Sequence, residues 1–381
     1  MKKIFLAACL MLGLFVAAAD AQFYTSETAR KAGEKMSRGD RAGALEILDS
    51  AIESQKDLLE AYQMRASLRS AGGDVDGALA DYSAALELDP HDARIYERRA
   101  MFRAFRRDHA GALKDFDAAI ANGLKTEKVF AGRATVRRDM GDAEGAIADY
   151  RIALGVNPDY ASAVNGLSFA LERKGDADAA LALLEEFLGR HEGKAGGKSP
   201  GFKGEVQTGG GVSVKREGRE KDGSQVFLSG SGAAMTFNAE SPEEMEKQRA
   251  EFEQLINLSL AYANLGKLYA RRNDFDRALE SYEKGLKVRK GDSYIHKLRS
   301  QVRIKRGDLR GAIEDLNAVV NSPQGAPDRH FDKGLLLVLQ GKDAEAEKEF
   351  ALHLQVFPGG RESLNARIEE ARKLRAQPPP Q

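Results

Sequence analysis

An all-α stack of helical hairpins is the fold class this sequence predicts, and three observations predict it. A Gly-Asp step recurs every 34 residues, at Gly39-Asp40, Gly73-Asp74, Gly141-Asp142 and Gly175-Asp176, with Arg107-Asp108 filling the one gap. It resumes as Asn273-Asp274, Gly307-Asp308 and Gly341-Lys342. Small residues and aromatics keep fixed places between those steps, and the register breaks once, where glycine is dense between Gly189 and Gly232. Eight hairpins in two blocks follow, five and then three, around a Gly-rich insert that is partly β or disordered.

Each place in the unit has a physical role. Tyr62, Tyr96 and Phe130 hold the first aromatic slot, and Ala66, Ala100 and Ala134 the small slot behind it. Ala78, Ala112, Ala146 and Ala180 are the small residues of the second helix, with Tyr82, Phe116 and Tyr150 four residues later. Small residues at matched heights let two antiparallel helices approach, and aromatics one turn on fill the space beside them. Gly-Asp supplies a residue tolerant of positive φ, then an acceptor that caps the next helix. Pro90 and Pro158 close two units. One hairpin cannot bury its own apolar face, so neighbours must stack.

Tyr262-x-x-Leu265-Gly266-x-x-Tyr269 followed by Ala278-x-x-x-Tyr282 carries the pattern furthest. On these residues the chain resembles the tetratricopeptide repeat family, over roughly 25–190 and 259–360. The resemblance implies a right-handed superhelix whose first helices line a concave surface. It also implies a scaffold that holds protein or peptide partners, with no enzyme activity and no cofactor.

In chain order, residues 1–21 read as a signal peptide. Lys2-Lys3, an apolar run from Ile4 to Ala19 and Ala19-Asp20-Ala21 give a charged start, a hydrophobic stretch and a cleavage site after Ala21. Export to the periplasm or beyond the cell follows, with no spanning segment in the mature chain. Leu6-Ala7-Ala8-Cys9 has the letters of a lipoprotein box but lies too early in the apolar run. Cys9 is the only cysteine, so the mature chain has no disulfide, thiol nucleophile or cysteine metal site. Removing Lys2, Lys3 and Asp20 takes Lys+Arg from 58 to 56 and Asp+Glu from 58 to 57, a net charge of −1. That balance points to neither nucleic acid nor anionic membrane. The absence of tryptophan gives no platform for carbohydrate.

Block one covers 25–190; its first repeat is degenerate, with Lys31 and Lys35 where core positions are expected. The insert, 191–240, holds two β-prone runs, Val212–Val214 and Gln225–Leu228, which either pair as a hairpin or stay disordered. Block two covers 241–360. Ser241-Pro242-Glu243-Glu244 starts a long lead helix, about 242–272, that absorbs the first helix of the sixth repeat. Leu364, Ile368, Ala371 and Leu374 make 361–376 an amphipathic cap helix, and 377–381 is a proline-rich tail expected to be disordered.

Chemistry-bearing motifs fail on context. Gly197-Lys198-Ser199-Pro200-Gly201 has the letters of a nucleophile elbow but no strand before it or helix after it. Glu192 stands where a phosphate loop needs glycine, and Gly230-Ser231-Gly232 lacks the third glycine of a dinucleotide loop. The six histidines are scattered and give no metal site. Asp74-x-Asp76-Gly77 is the inter-helix turn rather than a calcium loop.

One constellation covaries within the chain. The seventh place of successive units reads Arg65, Arg99, Arg133, Leu167, Leu265, Arg299 and Lys333; the twenty-third reads Asp81, Asp115, Asp149, Leu183, Ser281, Asp315 and Glu349. Every cation has an acid, and the two leucines have none, which predicts structural ion pairs inside single hairpins. A cationic ladder for an anionic ligand is the alternative.

Family geometry puts places 2, 5, 9, 12 and 13 on the concave face: Arg94, Glu97, Met101, Ala104 and Phe105, then Lys128, Ala131, Thr135, Arg138 and Asp139. The fifth unit adds Ser162, Asn165, Phe169, Glu172 and Arg173. Met101, Phe105 and Phe169 among charges read either as apolar anchors of a peptide groove or as packing inside the superhelix. Ile304, Phe331, Leu335 and Leu339 of the last units are expected to seat the cap helix. The functional expectation is a cell-envelope interaction scaffold; a structural subunit binding through edges and cap surfaces is the alternative.

Overall fold

A computed structural model describes residues 26–195, 225–228, 234–237, 242–322 and 329–376. The signal peptide, the Gly197–Gly201 run, Val212–Val214 and the tail from 377 fall outside these residues.

Among the described residues ten helices come first: α1 (Glu27–Ser37), α2 (Arg41–Glu53), α3 (Leu58–Ala71), α4 (Val75–Leu88), α5 (Ala93–Phe105), α6 (His109–Ala121), α7 (Glu127–Asp139), α8 (Ala143–Val156), α9 (Ala161–Lys174) and α10 (Ala177–Ala195). Strands β1 (Gln225–Leu228) and β2 (Ala234–Phe237) follow. Then come α11 (Pro242–Arg271), α12 (Phe275–Val288), α13 (Ser293–Arg306), α14 (Leu309–Val320), α15 (Arg329–Leu339), α16 (Asp343–Val356) and α17 (Arg361–Ala376), the last preceded by a 3₁₀ turn at Pro358–Gly360. Among the described residues the fold is all-α but for that one antiparallel hairpin.

The turns explain the 34-residue signal. Gly39, Gly73, Gly141, Gly175, Gly307 and Gly341 all sit at positive φ, between 75° and 91°, and Arg107 and Asn273 take the same conformation at 61° and 60°. The next residue caps the helix: Asp74, Asp108, Asp142 and Asp308 each accept from a backbone N–H three residues on at 2.9 Å. Lys342, the one departure from aspartate, makes no side-chain cap bond.

The chain forms two compact units. The first holds α1 to α9, the start of α10, the β hairpin and α11 as far as Gln254. Its core is built between hairpins. Leu48 of α2 clusters with Met64 and Leu68 of α3, Tyr82 of α4 with Ile95 and Phe102 of α5, and Phe116 of α6 with Val129 and Val136 of α7. The second helix of each hairpin is therefore covered by the first helix of the next. First helices also touch one another, α1 with α3, and α5 with α7 and α7 with α9, so that α5, α7 and α9 make one face. The second unit takes α10 from Leu181, α11 from Leu255, and α12 to α17. Its core joins Leu316 of α14, Phe350 of α16 and the apolar face of α15.

Three details differ from the sequence reading. α10 runs to Ala195, six residues past Gly189, because a helix tolerates glycines such as Gly189 and Gly193 at about 1 kcal/mol each. Strand β1 pairs with β2, Gln225 opposite Phe237 and Leu228 opposite Ala234, while Val212–Val214, the partner the sequence offered, lies outside the described residues. Lys31 and Lys35 lie half-exposed in ion pairs with Glu27 (2.7 Å) and Asp40 (2.8 Å), while Ala29 and Ala32 supply the buried positions of the first helix.

Candidate functional site

The covarying residues meet inside their hairpins. Arg65 grips Asp81 with two donors, Nε at 3.1 Å and Nη2 at 2.7 Å. Arg99 holds Asp115 at 2.9 and 2.8 Å, and Arg133 holds Asp149 at 2.9 and 2.6 Å. Arg299 Nη2 reaches Asp315 at 2.7 Å, and Lys333 Nζ reaches Glu349 at 2.5 Å. A second arginine one turn on shares each aspartate: Arg69, Arg103, Arg137 and Arg303 donate at 2.8–3.0 Å. The four aspartates are buried. Where Leu167 and Leu265 replace the cation, the leucines are buried too.

The ladder also runs backward, which the pairwise reading missed. Nη1 of Arg65, Arg99 and Arg133 reaches Asp49, Ser83 and Asp117 of the preceding hairpin at 2.7, 3.1 and 2.6 Å. Each guanidinium therefore ties two repeats together. It also lies over the aromatic three residues before it, Tyr62, Tyr96 or Phe130, at 5.6–5.7 Å from the ring centre. In the last two repeats histidine takes that aromatic place, and His296 and His330 bond Asp315 and Glu349 at 2.7 Å. Burial raises the Asp315 carboxyl, but hydrogen bonds from His296 and Arg299 and the charges of Arg299 and Arg303 hold it below its ordinary 3.8.

On the face made by α5, α7 and α9, Arg94, Lys128 and Arg173 are exposed, and Met101 and Phe169 are 40% and 39% exposed. Arg138 lies over the Phe169 ring at 5.6 Å and also binds Asp139 at 2.8 Å. Phe105 is half-buried against the Tyr82 and Phe102 cluster, Asn165 is buried, and Thr135 bonds the Tyr150 hydroxyl at 3.0 Å. Glu97 is half-buried between cations. Burial pushes its carboxyl above 4.5, against the pull of Lys128, Arg98 and Arg94. Tyr160, at the start of α9, was not singled out by sequence. Burial, with the carboxylates of Glu127, Glu253 and Glu97 around it, pushes its phenol up to about 12 despite a hydrogen bond with Ser162. The face thus mixes apolar side chains with both signs of charge. Among the described residues no group of three His, Cys, Asp or Glu is placed to hold a metal ion, and no helix is long and apolar enough to cross a membrane.

Tetratricopeptide repeat models match residues 64–123, 132–195 and 259–292. Over these residues the chain carries tetratricopeptide repeats. It is 30% identical to human tetratricopeptide repeat protein 36 over 117 residues, 28% of this chain, and it spans 62% of that relative's length. A solved tetratricopeptide repeat protein from Parabacteroides merdae ATCC 43184 superposes with a TM-score of 0.51 at 15% identity, covering 84% of this chain and 99% of that one. YrrB, described as having an unusual peptide-binding site, aligns with 65% of this chain and 95% of its own at a TM-score of 0.39 and 19% identity.

Proposed function

We propose that this protein is a non-enzymatic interaction scaffold, exported through residues 1–21, that holds a partner protein or peptide of the bacterial cell envelope on the α5–α7–α9 face. One observation carries the reading. Met101 and Phe169 hold the ninth place of their repeats and remain exposed, whereas a packed array would bury side chains of that size. Arg94, Lys128, Arg138 and Arg173 would orient the bound segment, and the apolar pair would anchor it. The test is capture from envelope extracts with mature wild-type protein and with Met101→Ala/Phe169→Ala as baits. Loss of a partner with the double variant supports the groove; equal capture refutes it.

A second reading, a structural subunit that binds through its edges, is favoured by one patch. Leu352, Val356 and Phe357 at the end of α16 are all exposed, Val356 at 63%. A partner lost on Leu352→Ala/Val356→Ala, and kept on Met101→Ala/Phe169→Ala, would favour that reading.

A further inference from the structure

In the second unit the corresponding face is covered by the chain's own last helix. Leu364, Ala371 and Leu374 of α17 share one buried cluster with Ile304 of α13 and with Phe331 and Leu335 of α15. Leu335 holds the same ninth place as Met101 and Phe169, yet it is 3% exposed.

The helix is not placed as a continuation of the stack. α3, α5, α7, α9, α13 and α15 each lie along the second helix before them. α17 instead lies along α15 and reaches α13, two repeats back, and its backbone stays away from α16. No first helix of the first unit comes as close to the one two repeats before it. Between α16 and α17 this leaves a cleft of about 820 Å³, floored by Phe350, Leu354 and Ile368.

A small set of polar contacts fastens α17 there. Arg375 donates to the carbonyl of Val338 and to Asp343, both at 2.8 Å, and Arg367 lies over the Phe331 ring at 5.6 Å. The tether is the short 3₁₀ turn Pro358–Gly360, whose two glycines have no side chain to oppose a change of backbone conformation.

We propose that the α13–α15 face of the second unit is a docking surface for an amphipathic helix of a partner protein, and that α17 occupies it in cis until displaced. The occupant's chemistry is that of α17 itself: apolar residues spaced i, i+4, i+7 and i+10, as in Leu364, Ile368, Ala371 and Leu374, with an arginine at the C-terminal end to reach Val338 and Asp343. The cleft beside α16 gives the displaced helix room to swing on its glycine tether. This inference stands apart from the α5–α7–α9 reading, since it uses none of those residues.

The test uses the full chain and a fluorescent synthetic peptide of residues 361–376. Tethered α17 competes at high effective concentration, so wild type should bind the peptide weakly. Arg375→Ala removes two charge-assisted bonds from the cis helix alone and should tighten peptide binding about tenfold. Adding Phe331→Ala should abolish the gain. In wild type, native-state hydrogen exchange should show α17 opening before α15. Equal peptide affinity in wild type and Arg375→Ala, or α17 amides protected as long as those of α15, would overturn the proposal. Light scattering that shows dimers of Arg375→Ala without peptide would assign the surface to α17 of a second copy, and so overturn the partner-protein source.

Discussion

Replacing Asp115 with leucine should destabilise the first unit more than replacing either arginine that it holds. Asp115 is 2% exposed and accepts three guanidinium donors, two from Arg99 and one from Arg103. The substitution strands both cations, and breaking a buried pair on one side costs about 3–5 kcal/mol. Arg99→Leu should cost less, about 1.5–3 kcal/mol, because Arg103 still serves the carboxylate. The double variant should be less destabilised than the sum of the two by about 1–3 kcal/mol, the coupling expected for groups in contact. Denaturant unfolding of all four proteins measures this. Far-ultraviolet dichroism should be paired with exchange of the α5 and α6 amides, since a repeat array does not unfold as one step. Because Arg99 also bonds Ser83, the Arg99→Leu loss should extend into α4 while the Asp115→Leu loss centres on α5 and α6. Additive free energies would refute the contact's energetic role, and unfolding of α4 unchanged in Arg99→Leu would refute the bridge between repeats.

Other outcomes follow from the same geometry. Asp315 and Glu349 have folded values held below their ordinary 3.8 and 4.5, so their contribution is present above those values and lost as pH falls through the folded ones. Stability of the second unit should therefore fall below about pH 4, and Asp315→Asn should flatten that slope in acid titrations. Gly334→Ala places a methyl group against the Phe350 ring and should cost about 1–3 kcal/mol in thermal unfolding. Asp142→Ala removes the cap of α8 and should cost about 1 kcal/mol, while Lys342→Asp should gain up to about 1 kcal/mol by capping α16.

Much of the fold was legible because its determinants are local. Gly73-Asp74 encodes a left-handed residue and a cap within two positions, and repetition at 34 residues multiplies a weak signal into a strong one. The pairing of Arg99 with Asp115 was legible for a different reason: Leu167 with Leu183 lacks both partners, so the chain carries its own control. The backward bonds to Asp49, Ser83 and Asp117 were missed because those places read as acid, hydroxyl, acid, a mixture that looks like solvent-facing variation until three-dimensional distances are known. Met101, Phe105 and Phe169 looked alike in sequence and are not. Phe105 turns toward Tyr82 and Phe102, because a residue late in a first helix can reach the preceding hairpin. The path of α17 was legible only in part. Its apolar stripe predicted a seat on Ile304, Phe331, Leu335 and Leu339, but nothing local told it to lean away from α16. Tyr160 escaped because a residue in a connection has no periodic neighbour to mark it.

The most direct measurement of the central claim is a hydrogen-exchange footprint of the captured partner on the full-length protein. The expected result is slowed exchange along α5, α7 and α9, lost when Met101 and Phe169 are both alanine. Protection confined to α16 near Leu352 and Val356, with α5, α7 and α9 unchanged, would contradict it.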